Sequence, residues 1–365
     1  MKVANTLFRL CIVLLMSISA LQAEILIGFA GPMTGPRAWS GQQFQRGAEQ
    51  AVADINTLGG VLGQRLALVV GDDASDVRQA QAVARKLVAD EVALVIGHRA
   101  SDMTRAAADI YAAAGVIQIT PSSTNPELTE QGISTFFRVC GRDDQQAIFA
   151  ADYLQRQWAG KSIGIIHDNS SYGLGLAQGT RDRLRALGTR EKLYRSFVPG
   201  QLDYSELLAQ VKQLEIDVLY TGAYSAESAL IVRQARDAGL DFQLVSADAL
   251  HNSDFWLIAG EAGIGAQFTF DIDPRTRDEA KSIVQRFRAV GYEPEGYTIH
   301  TYAALQVWVQ AVEVAGTLDA AAVSRIMRQL RFDTVLGELS FDGKGDLTQH
   351  DYAWYQWQTG KPVRK

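Results

Sequence analysis

Ile25-Leu26-Ile27-Gly28-Phe29-Ala30 is an apolar run of strand length, and beyond a polar loop Phe44, Ala48, Ala51, Val52 and Ile55 recur at the spacing of one helix face. The unit then repeats. Leu66–Gly71 precedes a helical stretch carrying Val77, Ala80, Ala84 and Leu87; Val92–Gly97 precedes a helix around Ala106–Ala114; Val116–Thr120 gives a fourth strand. Strands without polar alternation, separated by amphipathic helices, are the pattern of a parallel sheet covered on both faces.

A second series starts after Cys140. Strands are expected at Ser162–His167, Leu193–Phe197, Asp217–Gly222, Leu244–Ser246 and Gln267–Phe270, with helices at Gln145–Trp158, Gly175–Leu187, Tyr204–Leu214 and Ala226–Ala238. Three further helices, Arg277–Val290, Tyr297–Ala315 and Ala320–Leu330, precede short strands at Glu338–Phe341 and Tyr352–Trp357. The expected fold class is therefore α/β, with two doubly wound, Rossmann-like lobes of parallel strands. Lobe 1 is expected to comprise 24–139 and 271–350, and lobe 2 140–270 and 351–365. Lobes that exchange chain without a Gly-, Ser- or Pro-rich linker call for a hinge of several strands rather than one tether.

Composition narrows the function classes. With 47% apolar and 21% charged residues the chain is too apolar for a disordered segment, and 35 basic against 41 acidic residues argue against a nucleic-acid binder. The first 23 residues read separately. Met1–Arg9 carries Lys2 and Arg9 and no acid, Leu10–Leu21 is apolar, and Ala20-Leu21-Gln22-Ala23 ends in a small residue, the pattern of a secretory signal peptide cut after Ala23. The apolar run falls short of the roughly 20 residues that span a bilayer. Cleavage would leave 33 basic and 41 acidic residues, a net charge of -8, and Cys140 as the single cysteine. No intramolecular disulfide is then available, and Cys140, after Phe136-Phe137-Arg138-Val139, reads as a small buried hydrophobe.

In open parallel sheets ligands bind beyond the carboxyl ends of the strands. The loops there are rich in hydroxyls and aromatics: Met33–Gly41, His98–Asp102, Thr120–Pro126, Asp168–Gly173, Gly222–Ser225 and Ser246–Asp248. Catalytic motifs are missing. His98, His167, His251, His300 and His350 show no pair at metal-ligand spacing, and neither a Gly-x-Ser-x-Gly elbow nor a phosphate loop is present. Gly173-Leu174-Gly175-Leu176-Ala177-Gln178 has Gln178 where a dinucleotide fingerprint needs glycine, so Gly173 reads as a tight turn. Asp72 and Asp73, adjacent at a strand end, would point apart and serve as cap or turn residues. No enzyme activity, cofactor or metal is expected.

Taken in order, Gly47-Ala48-Glu49-Gln50-Ala51-Val52-Ala53-Asp54-Ile55-Asn56 with Gly59-Gly60, Asp72-Asp73, Val95-Ile96-Gly97-His98, Ile119-Thr120-Pro121, Tyr172-Gly173 and Thr301-Tyr302-Ala303-Ala304-Leu305-Gln306 resemble the leucine/isoleucine/valine-binding protein family. These are type I periplasmic binding proteins of ABC importers. The resemblance runs from about Glu24 to about Trp357. It implies three interlobe crossings, a cleft that closes on an amino acid, a periplasmic location, and a permease with its ATPase subunits as partners of a monomer.

The resemblance also implies site residues. The carboxylate-binding serine falls on Ser101, which the sequence independently places at a helix start, where free N–H groups favour an anion. The backbone position that meets both ends of the amino acid falls on Ser122, its helper on Thr124, and the acid that neutralises the ammonium on Asp248. Tyr172 and Tyr224 match tyrosines of the second lobe; Trp39 and Tyr297 match aromatics near the ligand side chain. Each has a plainer reading: core aromatics for Trp39 and Tyr297, caps or turn residues for Ser101, Ser122, Thr124 and Asp248.

Two departures stand out. Ser75 and Ala100 occupy positions that hold a cysteine pair in members with a disulfide near the cleft, and Arg99 replaces an apolar residue that packs on the ligand side chain. A guanidinium there either faces the cleft, favouring a polar or carboxylate tail, or swings out to solvent. The expected function is a receptor for import of an amino acid, branched-chain or related, with a polar tail as one option. The alternatives are a receptor for a membrane sensor, a binder of a small amide or carboxylate, and a secreted hydrolase.

Overall fold

The computed structural model describes residues 24–365; the expected signal peptide, 1–23, lies outside them. Five parallel strands form the first sheet in the order β2-β1-β3-β4-β5: β1 (Ile25–Gly31), β2 (Leu66–Asp72), β3 (Leu94–Gly97), β4 (Ile117–Thr120) and β5 (Phe136–Arg138). The period of two along β1 sorts its side chains. Ile25, Ile27 and Phe29 join a core with Phe44, Ala48 and Ala51 of α1 (Ala38–Thr57), whereas Leu26 packs against a second core that includes Val83, Leu87 and Tyr111 from α2 (Val77–Ala89) and α3 (Ser101–Ala113). Each apolar side chain fully buried in this way contributes about 1.5–3 kcal/mol. A short α4 (Glu127–Glu130) follows β4.

The second sheet has seven strands in the order β14-β13-β10-β9-β8-β6-β7. Parallel strands β6 (Ile163–His167), β7 (Leu193–Ser196), β8 (Val218–Gly222), β9 (Gln243–Ser246) and β10 (Gln267–Asp271) are extended by antiparallel β13 (Tyr352–Gln358) and β14 (Lys361–Arg364). One face packs on α5 (Asp143–Gln157) and α6 (Ser171–Ala186) through Ile163, Ile165, Val218 and Tyr220. The other packs Ile166, Leu219 and Leu244 with residues of α7 (Ser205–Gln213) and α8 (Ser225–Asp237).

A short α9 (Ser253–Ala259) lies between β9 and β10, and after β10 the chain returns to the first lobe with α10 (Lys281–Ala289), α11 (Thr298–Ala315) and α12 (Ala320–Gln329). Twelve of the eighteen residues of α11 are buried, as expected of a helix apolar all round. It lies so close to α1 that a Cβ on Gly47 would stand 2.3 Å from the Thr298 carbonyl oxygen. A hairpin of β11 (Arg331–Thr334) and β12 (Gly337–Ser340) precedes the last crossing.

Some expectations need correction. The helix expected from Arg277 begins only at Lys281, because Asp273 caps a single turn at Pro274–Thr276 instead. The stretch Phe136–Cys140, which reads as a buried strand, is strand only as far as Arg138. Gly173 is helical, not a turn. Its Cβ would lie 2.2 Å from the Gly222 carbonyl oxygen, so glycine is needed for close approach of α6 to the end of β8.

Three crossings join the lobes, after β5, after β10 and before β13. Asp271, at the second crossing, meets His350 Nε2 of the third at 2.8 Å and His300 Nε2 of α11 at 2.6 Å. Burial opposes a charged Asp271, but these histidines outweigh it and hold its carboxyl well below the usual range.

Candidate ligand-binding site

The strand ends of both sheets face one another across a cleft, and a cavity of about 30 Å³ lies between them. Its walls include Ser101, Ser122, Arg99 and Tyr297 from one lobe and Tyr172, Tyr224 and Asp248 from the other. Seven of the nine residues singled out in the sequence therefore share one cavity. The other two do not line it. Trp39 is 46% exposed at the rim, with its indole N–H donating to Ser253 Oγ across the cleft at 3.1 Å. Thr124 is buried behind the wall, where its carbonyl accepts from the Asp143 N–H at 2.9 Å.

The first-lobe wall is set by hydroxyls that bind loop carbonyls. Thr120 Oγ1 donates to the His98 carbonyl at 3.0 Å and Ser122 Oγ to the Arg99 carbonyl at 2.8 Å. Beneath them His98 Nδ1 pairs with Asp73 Oδ2 at 2.7 Å, and its Nε2 lies 3.2 Å from the Tyr111 hydroxyl. Asp72 instead closes the turn after β1, accepting from the Met33 N–H at 2.8 Å and the Thr34 hydroxyl at 2.6 Å. The two acids diverge as expected, but the Asp73–His98 link is invisible in a sequence that separates them by 25 positions.

Ser101 is the first residue of α3, after Ala100, whose side chain makes no capping bond. Ser101 lines the cavity at the positive end of the helix, where the first-turn N–H groups have no partner within the helix, and its Oγ accepts from the Asn125 N–H at 3.3 Å. The Ser122–Asn125 loop is shaped by fully buried Arg138. Its Nη1 donates to the carbonyls of Ser123 and Asn125, both at 3.0 Å, and its Nε meets Asp346 at 2.6 Å.

Asp248 dominates the opposite wall. Oδ1 accepts from the Tyr172 hydroxyl at 2.9 Å and Oδ2 from the Tyr297 hydroxyl at 2.8 Å. Burial pushes its carboxyl up to about 6, against the lowering effect of the Tyr297 and Tyr172 bonds. Asp248 does not cap the helix that follows; Asn252 does, accepting from the Asp254 N–H at 2.7 Å. Tyr172 stacks on Tyr224 with centroids 5.0 Å apart. The Arg99 guanidinium lies 5.1 Å from the Tyr224 centroid, and Arg99 is only 8% exposed, so it faces the cleft rather than solvent.

Direct contacts hold the lobes together around this cavity. Asn125 Nδ2 donates to the Ser171 carbonyl at 2.9 Å, the Ser171 N–H reaches the Asp102 carboxylate at 3.3 Å, and Arg37 meets Glu227 at 3.4 Å.

Comparison with known proteins agrees with this architecture. A sequence profile described as periplasmic binding protein matches residues 24–362. The chain belongs to the periplasmic binding protein family. Among its relatives is Leu/Ile/Val-binding protein homolog 1 of Brucella suis biovar 1, 43% identical over 339 residues, covering 93% of this chain and 91% of the relative. An amino acid binding protein of Pseudomonas aeruginosa is 41% identical, covering 92% and 90%. Leucine binding protein LivK of Thermotoga maritima superposes with a TM-score of 0.86 at 27% identity, covering 93% of this chain and 97% of that one. Substrate binding protein LivJ of Streptococcus pneumoniae, in complex with isoleucine, gives 0.85 at 26% identity, covering 94% and 100%.

In this periplasmic binding protein, sequence reasoning passed over five further lining residues: Phe44, Ala249, His251, Asn252 and Gly296. Phe44 reads as one more apolar residue of a helix face, and nothing in its spacing marks it as cavity-facing. His251 is neutral, driven down to about 3 by burial, and stacks on Phe270 at 3.9 Å. Its position three residues after Asp248, in a loop at a strand end, was the available signal.

Proposed function

We propose that the protein is a periplasmic receptor that captures an amino acid between its lobes and presents it to the permease and ATPase subunits of an inner-membrane importer. The observation that carries this reading is the pairing of opposite poles in one cavity. Ser101 at the positive end of α3 suits a carboxylate, and Asp248 opposite suits an ammonium. Relatives named for leucine, isoleucine and valine binding support the ligand class, and the export signal in residues 1–23 supports the location.

In this reading Ser101 and Ser122 of lobe 1 (24–139 and 271–350) hold the head of the amino acid, with Thr124 behind them rather than on the ligand. Closure brings Tyr172, Tyr224 and Asp248 of lobe 2 (140–270 and 351–365) onto it, with Arg99 and Tyr297 around its tail and Trp39 at the rim. A ligand that touches both lobes favours the closed arrangement through its differential contacts, and no bond is made or broken. A monomer suffices. Titration calorimetry of unfolded, ligand-stripped and refolded protein against the common amino acids tests this. Saturable binding that Asp248→Ala weakens about 30-fold or more is expected; binding only of compounds lacking an amine would sink it.

A further inference from the structure

The cavity holds one charge that the zwitterion's head does not use. Arg99 is more than nine-tenths buried, yet among the described residues no acceptor bonds to its Nε or Nη1. The other guanidinium near Tyr224, that of Arg37 at 4.2 Å from the ring centroid, is matched by Glu227. Asp254 acts on Arg99 through space without a hydrogen bond. A desolvated, unpartnered guanidinium costs several kcal/mol unless something supplies the missing oxygen atoms.

The charges around the cavity follow a definite order. Asp248 bonds Tyr172, Tyr172 stacks on Tyr224, and Tyr224 lies beneath Arg99, while Ser101 stands two residues beyond Arg99 at the head of α3. One negative pole therefore faces two positive ones, the helix terminus and the guanidinium. The complement is a molecule with one cation and two anions. Resting on the amino-acid reading above, we infer that Arg99 is the specificity-determining residue and that the ligand is an amino acid with a carboxylate on its side chain. The α-carboxylate sits at Ser101, the ammonium at Asp248, and the side-chain carboxylate pairs with the guanidinium of Arg99, whose planar set of donors suits a carboxylate.

The competing arrangement has Arg99 and Ser101 share the α-carboxylate, leaving an apolar tail among the tyrosines. Calorimetry separates the two. Ligand-stripped wild-type protein is titrated with L-aspartate, L-glutamate, L-leucine and L-norvaline, and the series is repeated with Arg99→Met and Arg99→Lys after thermal unfolding confirms that each variant folds. An acidic amino acid is expected to bind the wild type about 10- to 100-fold more tightly than either apolar one, the usual worth of a charge-assisted bond to a buried partner. Arg99→Met removes or reverses that preference; Arg99→Lys keeps it in weakened form. Equal or tighter binding of leucine by the wild type, or an unchanged ratio in Arg99→Met, overturns the assignment and leaves the amino-acid reading standing. Binding of none of the common amino acids overturns both.

Discussion

Tyr297 reaches across the cleft and donates its hydroxyl to Asp248 at 2.8 Å, joining an element of the first lobe to the charged wall of the second. The contact occupies Oδ2, while Tyr172 holds Oδ1. A ligand ammonium must share or displace one of these donors. Tyr297→Phe frees an oxygen without removing the charge and should change amino-acid affinity by less than about tenfold, the worth of one hydrogen bond. Asp248→Ala removes the charge and should cost about 30-fold or more. Calorimetric Kd values for the two variants decide the order.

Protonation of Asp248 sets a pH dependence. With its carboxyl at about 6 in the folded protein against an ordinary 3.8, the folded state holds the proton more tightly than the unfolded one. Ligand-free stability from this group is therefore fully present below the unfolded value and lost as pH rises towards about 6. Binding of an ammonium runs the other way, because it needs the carboxylate ionised. Affinity should fall about tenfold per pH unit below 6, and Asp248→Asn should flatten the profile measured between pH 4.5 and 8.

Asp143, the first residue of α5, is fully buried, and neither carboxyl oxygen receives a well-aligned hydrogen bond among the described residues. Burial pushes its carboxyl well above the usual range, Asp248 and Asp144 add to this, and Thr124 and Arg138 oppose it. The raised value makes Asp143 a stability cost that grows as pH rises from the unfolded value. Asp143→Asn should stabilise the protein by about 1–3 kcal/mol at pH 8, in proportion to the unmet desolvation. The gain should shrink towards pH 4, as read by urea unfolding.

Helix propensity alone would favour Gly173→Ala by up to about 1 kcal/mol. Steric contact decides otherwise. An added methyl would meet the Gly222 carbonyl oxygen at 2.2 Å, and Gly222→Ala would meet the Gly173 carbonyl at the same distance. Either substitution should destabilise by about 1–3 kcal/mol through overpacking, visible as a lower urea midpoint.

Trp39 works as a latch rather than as a wall of the cavity. Trp39→Phe keeps the ring and removes the N–H that reaches Ser253. It should weaken every ligand by the same small factor, about two- to tenfold, without altering the ratio between acidic and apolar amino acids. A change confined to one ligand class would contradict the rim position.

The strand and helix succession could be read from the chain because each element carries its own periodicity: β1 is apolar throughout and α1 repeats Phe44, Ala48, Ala51 and Val52 along one face. Ser101 was likewise readable, since a hydroxyl at a helix start after a strand has few uses. Contacts between distant segments were not. The direction of Arg99 depends on Tyr224, 125 positions later, and Trp39 was drawn to the rim by Ser253 rather than to the cavity. Gly173 misled because a glycine required by a neighbour's backbone looks the same in sequence as one required by a turn.

The threading of the chain also bears on the order of folding. The first sheet uses residues 25–138, but its covering helix α11 begins only at Thr298, and the second sheet awaits β13 from Tyr352. Neither core can close during synthesis until most of the polypeptide is available. Long-range closure of this kind slows folding and prolongs the exposure of apolar strands. Late completion of both cores thus keeps the chain open through most of its synthesis, a delay written into the order of its strands and helices.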